Sequence, residues 1–141
     1  MKKPEILVVE DSDDDYYAFV RACRGISHEI ELRRCCTGSE ALEYLIDLAH
    51  KKQPRPALVF LDLNMPGLDG RDVLREIKYS DELSSLRVVV YSTSDSPADV
   101  EFCYANHANA YHVKPMDFAR MKTDLKAIID YWLTMATELS P

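Results

Sequence analysis

Short apolar runs alternate with helical patterns along the whole chain. Glu5–Glu10 (EILVVE), Ala57–Asp62 (ALVFLD) and Arg87–Ser92 (RVVVYS) are near-continuous apolar runs of strand length, the pattern of strands covered on both faces. His28–Cys35 (HEIELRRC) differs: Ile30 and Leu32 alternate with Glu29, Glu31 and Arg33, as in a half-exposed edge strand guarded by charge. Ala110–Val113 (AYHV) is a fifth, short run suited to the other edge. Between the runs lie helical patterns with readable starts. Ser12 precedes Asp13, Asp14 and Asp15, and Tyr16, Phe19, Val20 and Cys23 then fall on one face. A second helix, about 39–50, turns Leu42, Leu45, Ile46 and Ala49 inward. A third follows Asp69-Gly70 with Val73, Leu74 and Ile77. The fourth opens at Ser96-Pro97 and carries Val100, Cys103 and Tyr104, and the last runs from about 117 towards 137.

Five strand–helix alternations predict βαβ units, hence an α/β fold, (βα)5, with a doubly wound parallel five-stranded sheet. Right-handed crossovers and the charged second strand favour the order 2-1-3-4-5. No repeat, low-complexity tract or Pro/Gly/Ser linker interrupts residues 1–141, so one domain with an extended C-terminal helix is expected. Ligands of such sheets bind beyond the carboxyl ends of the strands, near the switch between strands one and three.

Composition narrows the classes. Apolar residues make up 47% and charged residues 29%, a globular balance, and the formal charge of −7 argues against a phosphate-backbone partner. Ile6 to Val9 is too short an apolar stretch for a signal-peptide core or a membrane span, so a cytoplasmic protein with no membrane partner is expected. The four cysteines (Cys23, Cys35, Cys36, Cys103) then read as free thiols packed as small apolar residues. Cys103 and His107 stand at i and i+4, yet no second pair at matching spacing completes a metal site.

The chemistry gathers at one predicted edge. Strand one ends in Glu10-Asp11, strand three in Asp62, strand four in Ser92, and strand five is followed by Lys114. Each residue alone is ordinary, since acidic residues, hydroxyls and lysines after strands are commonly solvated. Their convergence is not. Three carboxylates together repel one another, and a hard divalent cation such as Mg²⁺ resolves the conflict. A carboxylate beside such an ion is a competent nucleophile towards phosphorus, with the lysine neutralising charge on the transferring group.

The stretch Asp62 to Gly70 (DLNMPGLDG) resembles the signature of two-component response-regulator receiver domains, a flavodoxin-like fold, and the resemblance spans essentially the whole chain. It implies that Glu10-Asp11 is the acidic metal pair, Asp62 the phosphoacceptor, and Asn64 the donor of a main-chain carbonyl to Mg²⁺. It further implies that Ser92 is the hydroxyl that bonds the phosphoryl group, Tyr111 the switch aromatic, and Lys114-Pro115 the lysine with its usually cis junction. Asn64 and Ser94 occupy positions that tune hydrolysis, and neither supplies a carboxylate. Departures are modest: Glu begins the acidic pair, Ser replaces the commoner Thr at 92, and His107 stands where glycine often follows the fourth helix, a strained cap.

By the same resemblance, phosphorylation draws Ser92 towards the phosphoryl oxygens and Tyr111 inward, altering the face of the fourth helix, fifth strand and fifth helix. In the last helix Phe118, Met121, Leu125, Ile128 and Trp132 form one stripe, with Ile129, Leu133 and Ala136 beside it. That extra apolar width leads us to expect a homodimer through this face, with a histidine kinase as the upstream partner. Leu86–Ser94, Cys103–Asp117 and the loop Lys51–Pro56 resemble the stand-alone regulators paired with phytochrome-type kinases. Three rivals remain in view: a pseudo-receiver that is never phosphorylated, a metal-dependent aspartyl phosphatase, and a flavin or nucleotide binder. Against the last two, position 64 is Asn rather than Asp, and no G-x-G-x-x-G or P-loop follows strand one. A truncated DNA-binding regulator is disfavoured by the lack of a basic segment after the last helix.

Overall fold

The apolar runs form five parallel strands, and the stretches between them form helices whose side chains reach both faces of the sheet. The computed structural model describes residues 3–26 and 29–137. β1 (Glu5–Val9), β2 (Glu31–Cys35), β3 (Leu58–Leu61), β4 (Val88–Ser92) and β5 (Ala110–Val113) lie in the order 2-1-3-4-5, with every neighbouring pair parallel. The helices are α1 (Asp13–Cys23), α2 (Gly38–His50), α3 (Gly70–Lys78), α4 (Pro97–Ala105) and α5 (Phe118–Asp130).

Strand alternation divides the core into two layers. Leu7, Val9, Val59, Leu61, Val88 and Val90 meet α2, α3 and α4 on one face. Ile6, Val8, Leu58, Phe60, Val89 and Tyr91 meet α1 and α5 on the other. There Phe19, Phe60 and Tyr91 pack edge to face with centroids 4.9 to 6.1 Å apart. Among the described residues no helix is long and apolar enough to cross a membrane.

The helix starts fall where the sequence indicates at Ser12, Asp69 and Asp117, while α2 starts at Gly38 with Thr37 as its cap. Ser12, Thr37, Asp69 and Asp117 each accept a backbone N–H of the following turn. Ser96 occupies the corresponding position of α4, but its side chain makes no capping bond. His107 follows α4 at φ 70°, in the left-handed region.

Several expectations are corrected. β2 begins at Glu31, and His28 lies outside the described residues. Ile46 and Tyr104 face solvent, because Ala41 and Leu45 fill the contact under α2, and Cys103 with the half-buried Phe102 fills that under α4. Cys36 is exposed on the turn before α2 rather than packed. The broad apolar stripe of α5 is mostly used by the sheet: Leu125, Ile128 and Ile129 are buried, and Met121, Trp132 and Leu133 pack against them.

The α-helix also stops at Asp130 and continues as a π-helical turn, Tyr131–Met135. Arg87 explains how this wider turn is held. Its guanidinium donates to the carbonyls of Trp132 (3.0 Å) and Thr137 (2.5 Å) and lies 5.4 Å from the centre of the Trp132 ring. One bond thus reaches a carbonyl of the turn itself and the other the chain just after it, both from the residue that leads into β4.

Candidate functional site

Three ladders end one residue before a functional side chain. The amide of Glu10 still donates to Cys35 (3.0 Å) and that of Asp62 to Val9 (3.1 Å), so both residues are fixed by the sheet while their side chains leave it. The Lys114 amide donates to the Ser92 carbonyl (2.7 Å) and aligns the end of β5 with the end of β4. Glu10, Asp62 and Ser92 are the buried polar residues among the described ones. Burial of polar groups is tolerated when they are paired, and all three are.

Lys114 provides the pairing. Its ammonium sits 2.5 Å from Glu10 Oε1, 2.9 Å from Asp15 Oδ2 and 3.9 Å from Asp62 Oδ2. Burial alone would lower its pKa. The hydrogen bond to Glu10 and the charges of Asp62 and Glu10 outweigh that, so the ammonium is held above its ordinary value. The Asp62 carboxyl is raised to about 7: burial pushes it up, Lys114 pulls it down, and neighbouring Glu10 pushes it up again. The Asn64 amide approaches Asp62 Oδ1 at 3.5 Å. Arg34 braces the pocket from behind, donating to the Glu10 carbonyl at 3.0 Å and to Asp13 at 2.8 Å.

The carboxylates of Glu10, Asp11 and Asp62 each bring an oxygen within 4.8 Å of the others, and they are the only such group among the described residues. An all-oxygen donor set of this size suits a hard divalent cation, with the Asn64 carbonyl on the same loop. Beneath the acidic rim a cavity of about 220 Å³ is floored by Phe19, Phe60, Tyr91 and Met121. On the other side, Ser92 Oγ accepts the Ser94 amide (3.2 Å), and the Tyr111 hydroxyl donates to the Ser94 carbonyl (2.8 Å). Tyr111 is half-buried against the core, already turned inward.

All the predicted site residues thus meet at one edge, with one correction. The resemblance implies a cis Lys114–Pro115 bond, but no peptide among the described residues is cis. Lys114 reaches the carboxylates through the trans bond, which is intrinsically favoured even before proline. Asp15 was not foreseen in the site. Its place in the first turn of α1 reads as a helix-dipole carboxylate, and only the fold brings it against Lys114, 99 residues on.

The profile of the response regulator receiver domain matches residues 6–126. The chain belongs to that family. Among its relatives, the probable methanogenesis regulatory protein FilR2 of Methanothrix harundinacea is 38% identical over 130 residues, covering 91% of this chain and 83% of the relative. Response regulator Rcp1 of Synechocystis is 36% identical over 135 residues, covering 94% and 90%. Its Mn²⁺-bound crystal structure superposes with a TM-score of 0.85 at 32% identity, covering 97% of this chain and 99% of that one. The phosphorylated cyanobacterial phytochrome response regulator RcpA superposes with a TM-score of 0.90 at 34% identity, covering 99% and 100%. The protein is therefore a response-regulator receiver, a phosphoacceptor of histidine-kinase signalling from a family that binds divalent metal.

The raised Asp62 pKa gives a pH prediction. A carboxyl whose folded pKa exceeds its unfolded value takes up a proton on folding, so its contribution to stability falls as pH rises from about 4 to about 7. Metal needs the ionised carboxylate, so binding strengthens over the same interval. The rise in Tm on adding a divalent ion is expected to be larger at about pH 8 than at about pH 5.5. Differential scanning fluorimetry with and without chelator measures it, and equal shifts at both pH values would refute a buried, protonatable site carboxyl.

Proposed function

We infer that Asp62 is the phosphoacceptor, working with Mg²⁺ held by Glu10, Asp11, Asp62 and the main-chain carbonyl of Asn64. The observation that carries this reading is a buried carboxylate, Asp62, flanked by an ammonium and by a cation-sized group of carboxylate oxygens. An oxygen of Asp62 attacks the phosphorus of the donor. The new O–P bond forms as the donor's P–N or P–O bond breaks, and the leaving group keeps the electron pair. When bound, Mg²⁺ supplies positive charge for the phosphoryl oxygens. Lys114 supplies a second positive charge from β5, and Ser92 a hydroxyl from β4. Asn64 borders the acceptor, Ser94 bonds Ser92, and both tune the phosphoryl lifetime.

The same residues promote the Mg²⁺-dependent gain and loss of the phosphoryl group, so the protein works as a switch rather than on a separate substrate. Its kinase is of the phytochrome type, a reading supported by the near-complete superposition on RcpA. Output is protein association, with no nucleic acid, through a homodimer formed by α4, β5 and α5 in the cytoplasm. The exposed Tyr104 and Val113 on adjoining elements support that face.

Intact mass after incubation with acetyl phosphate is expected to show one added phosphoryl group, absent without Mg²⁺ and absent in Asp62→Asn. Sedimentation of the same samples is expected to show a larger dimer fraction with the adduct. No adduct from a folded protein would favour the pseudo-receiver reading. A strict monomer in both states would remove the dimer.

A further inference from the structure

The loop after β4 is tied to a part of the molecule that the switch has no obvious need to touch. Ser94 uses every polar atom it has. Its amide donates to Ser92 Oγ (3.2 Å), its hydroxyl donates to Asp99 Oδ2 (2.6 Å) and accepts the Ser96 amide (3.3 Å), and its carbonyl accepts the Tyr111 hydroxyl (2.8 Å). Asp99, in the first turn of α4, does not work alone. Its other oxygen, Oδ1, accepts two bonds from Arg71, at 2.6 Å from Nη2 and 3.2 Å from Nε. Arg71 is the second residue of α3, directly after the glycine that abuts the Asp62 carbonyl. The Arg71 and Asp99 side chains are both less than a third exposed. The Asp99 carboxyl is held below its ordinary value, first by the Ser94 hydroxyl and then by Arg71.

The remainder of α4 is held by few groups: the half-buried Phe102 packs on the core, and the Tyr104 hydroxyl accepts the Tyr111 amide (3.0 Å). Cys103 is its only buried residue, and Ser96 provides no side-chain cap. The start of α4 and the loop before it are therefore positioned largely by the Arg71–Asp99–Ser94 bonds. An ionic, forked contact of this kind fixes direction as well as distance.

We propose that Arg71 and Asp99 are positioning residues of the switch, clamping Ser94 so that its amide meets the Ser92 hydroxyl while its carbonyl holds the Tyr111 phenol inward. Ser94 is then the relay: a shift of the Ser92 hydroxyl pulls on the Ser94 amide, and the same peptide unit moves the acceptor of Tyr111. The relay deepens the phosphoacceptor reading and rests on it for its trigger, but the clamp itself acts in the untreated protein. Two discrete arrangements, Tyr111 held or released, are biased by a contact on the far side of α4.

The test uses protein labelled with 3-fluorotyrosine, the Tyr111 resonance being assigned by its loss in Tyr111→Phe. In the untreated protein, Arg71→Met and Asp99→Asn are each expected to lower the ratio of inward to outward Tyr111 by at least about fivefold, the effect of one ordinary hydrogen bond. The charge-exchanged pair Arg71→Asp/Asp99→Arg is expected to restore part of the wild-type ratio, which a general loss of packing would not allow. A Tyr111 resonance unmoved in both single variants overturns the clamp, and so does a shift that charge exchange leaves unchanged. Beryllium fluoride with Mg²⁺ is then added to the wild type. If the variants move Tyr111 but no protein-bound fluoride resonance of the mimic appears, the phosphoacceptor reading has failed and the clamp has not; if the mimic binds and Tyr111 does not respond, the relay has failed.

Discussion

Lys114→Met is expected to slow phosphorylation of Asp62 by acetyl phosphate about 100-fold or more while leaving the side-chain volume nearly unchanged. The lysine side chain is 7% exposed and lies within 4 Å of three carboxylates, two of them about as buried as itself. Incoming phosphoryl oxygens add further negative charge to that pocket. With the ammonium gone, the remaining positive charge is the metal's, already shared among the carboxylates. The same substitution is expected to cost about 3 kcal/mol of stability in chelator, the usual result of removing one partner from a buried pair. Metal recovers part of that loss, because it neutralises Glu10 and Asp62 from the other side. Chelator also makes the deficit pH-dependent. Protonation of Asp62 relieves it, so the variant loses less at about pH 5.5 than at about pH 8. Mass spectrometry against time measures the first effect, and urea unfolding with and without Mg²⁺ the second. A variant phosphorylated at the wild-type rate would leave Lys114 as a purely structural counter-ion.

How far such residues can be read from sequence depends on what places them. Glu10, Asp62, Ser92 and Lys114 were legible because each stands at the end of, or just after, a strand-length run. A parallel sheet delivers whatever stands there to a common edge. Strand limits were legible to within about a residue for the buried strands, whose apolar runs leave little choice of register. β2 was less so, since its alternating charge continues past the point where pairing begins.

Asp15 was hidden because a carboxylate in a first helical turn already has a sufficient local reason to be there. Arg71 and Asp99 were hidden for a related reason. They stand 28 residues apart at the starts of two helices, and each looks like an ordinary surface charge until α3 and α4 are set side by side. The outward turn of Ile46 and Tyr104 reflects another limit. Periodicity marks an apolar stripe but not how wide a strip the sheet can cover, and small neighbours such as Ala41 brought the helix close enough to narrow it.

Gly70→Ala is expected to be the most damaging methyl group that can be added to the acceptor loop. A Cβ built there lies 2.1 Å from the Asp62 carbonyl oxygen and 2.6 Å from Leu63 Cα, both of them backbone atoms that no rotamer change can move aside. The glycine amide also donates to the Leu63 carbonyl (3.0 Å), so helix and strand end are held together at the point where the methyl would part them. Retreat of α3 is blocked by its own packing, for Val73, Leu74 and Ile77 are fully buried against the sheet. The expected loss is about 3 kcal/mol or more. Gly67 offers the control three residues earlier. It has φ +74°, but nothing lies within 4 Å of its missing Cβ. Gly67→Ala therefore meets only the left-handed penalty of about 1 kcal/mol. Urea unfolding of both variants reads the comparison directly. Should Gly67→Ala prove the costlier, the close approach of α3 to the end of β3 could not be what holds the Asp62 main chain in place. Should Gly70→Ala fold only with Mg²⁺ present, the metal would be drawing together the loop that the methyl pushes apart.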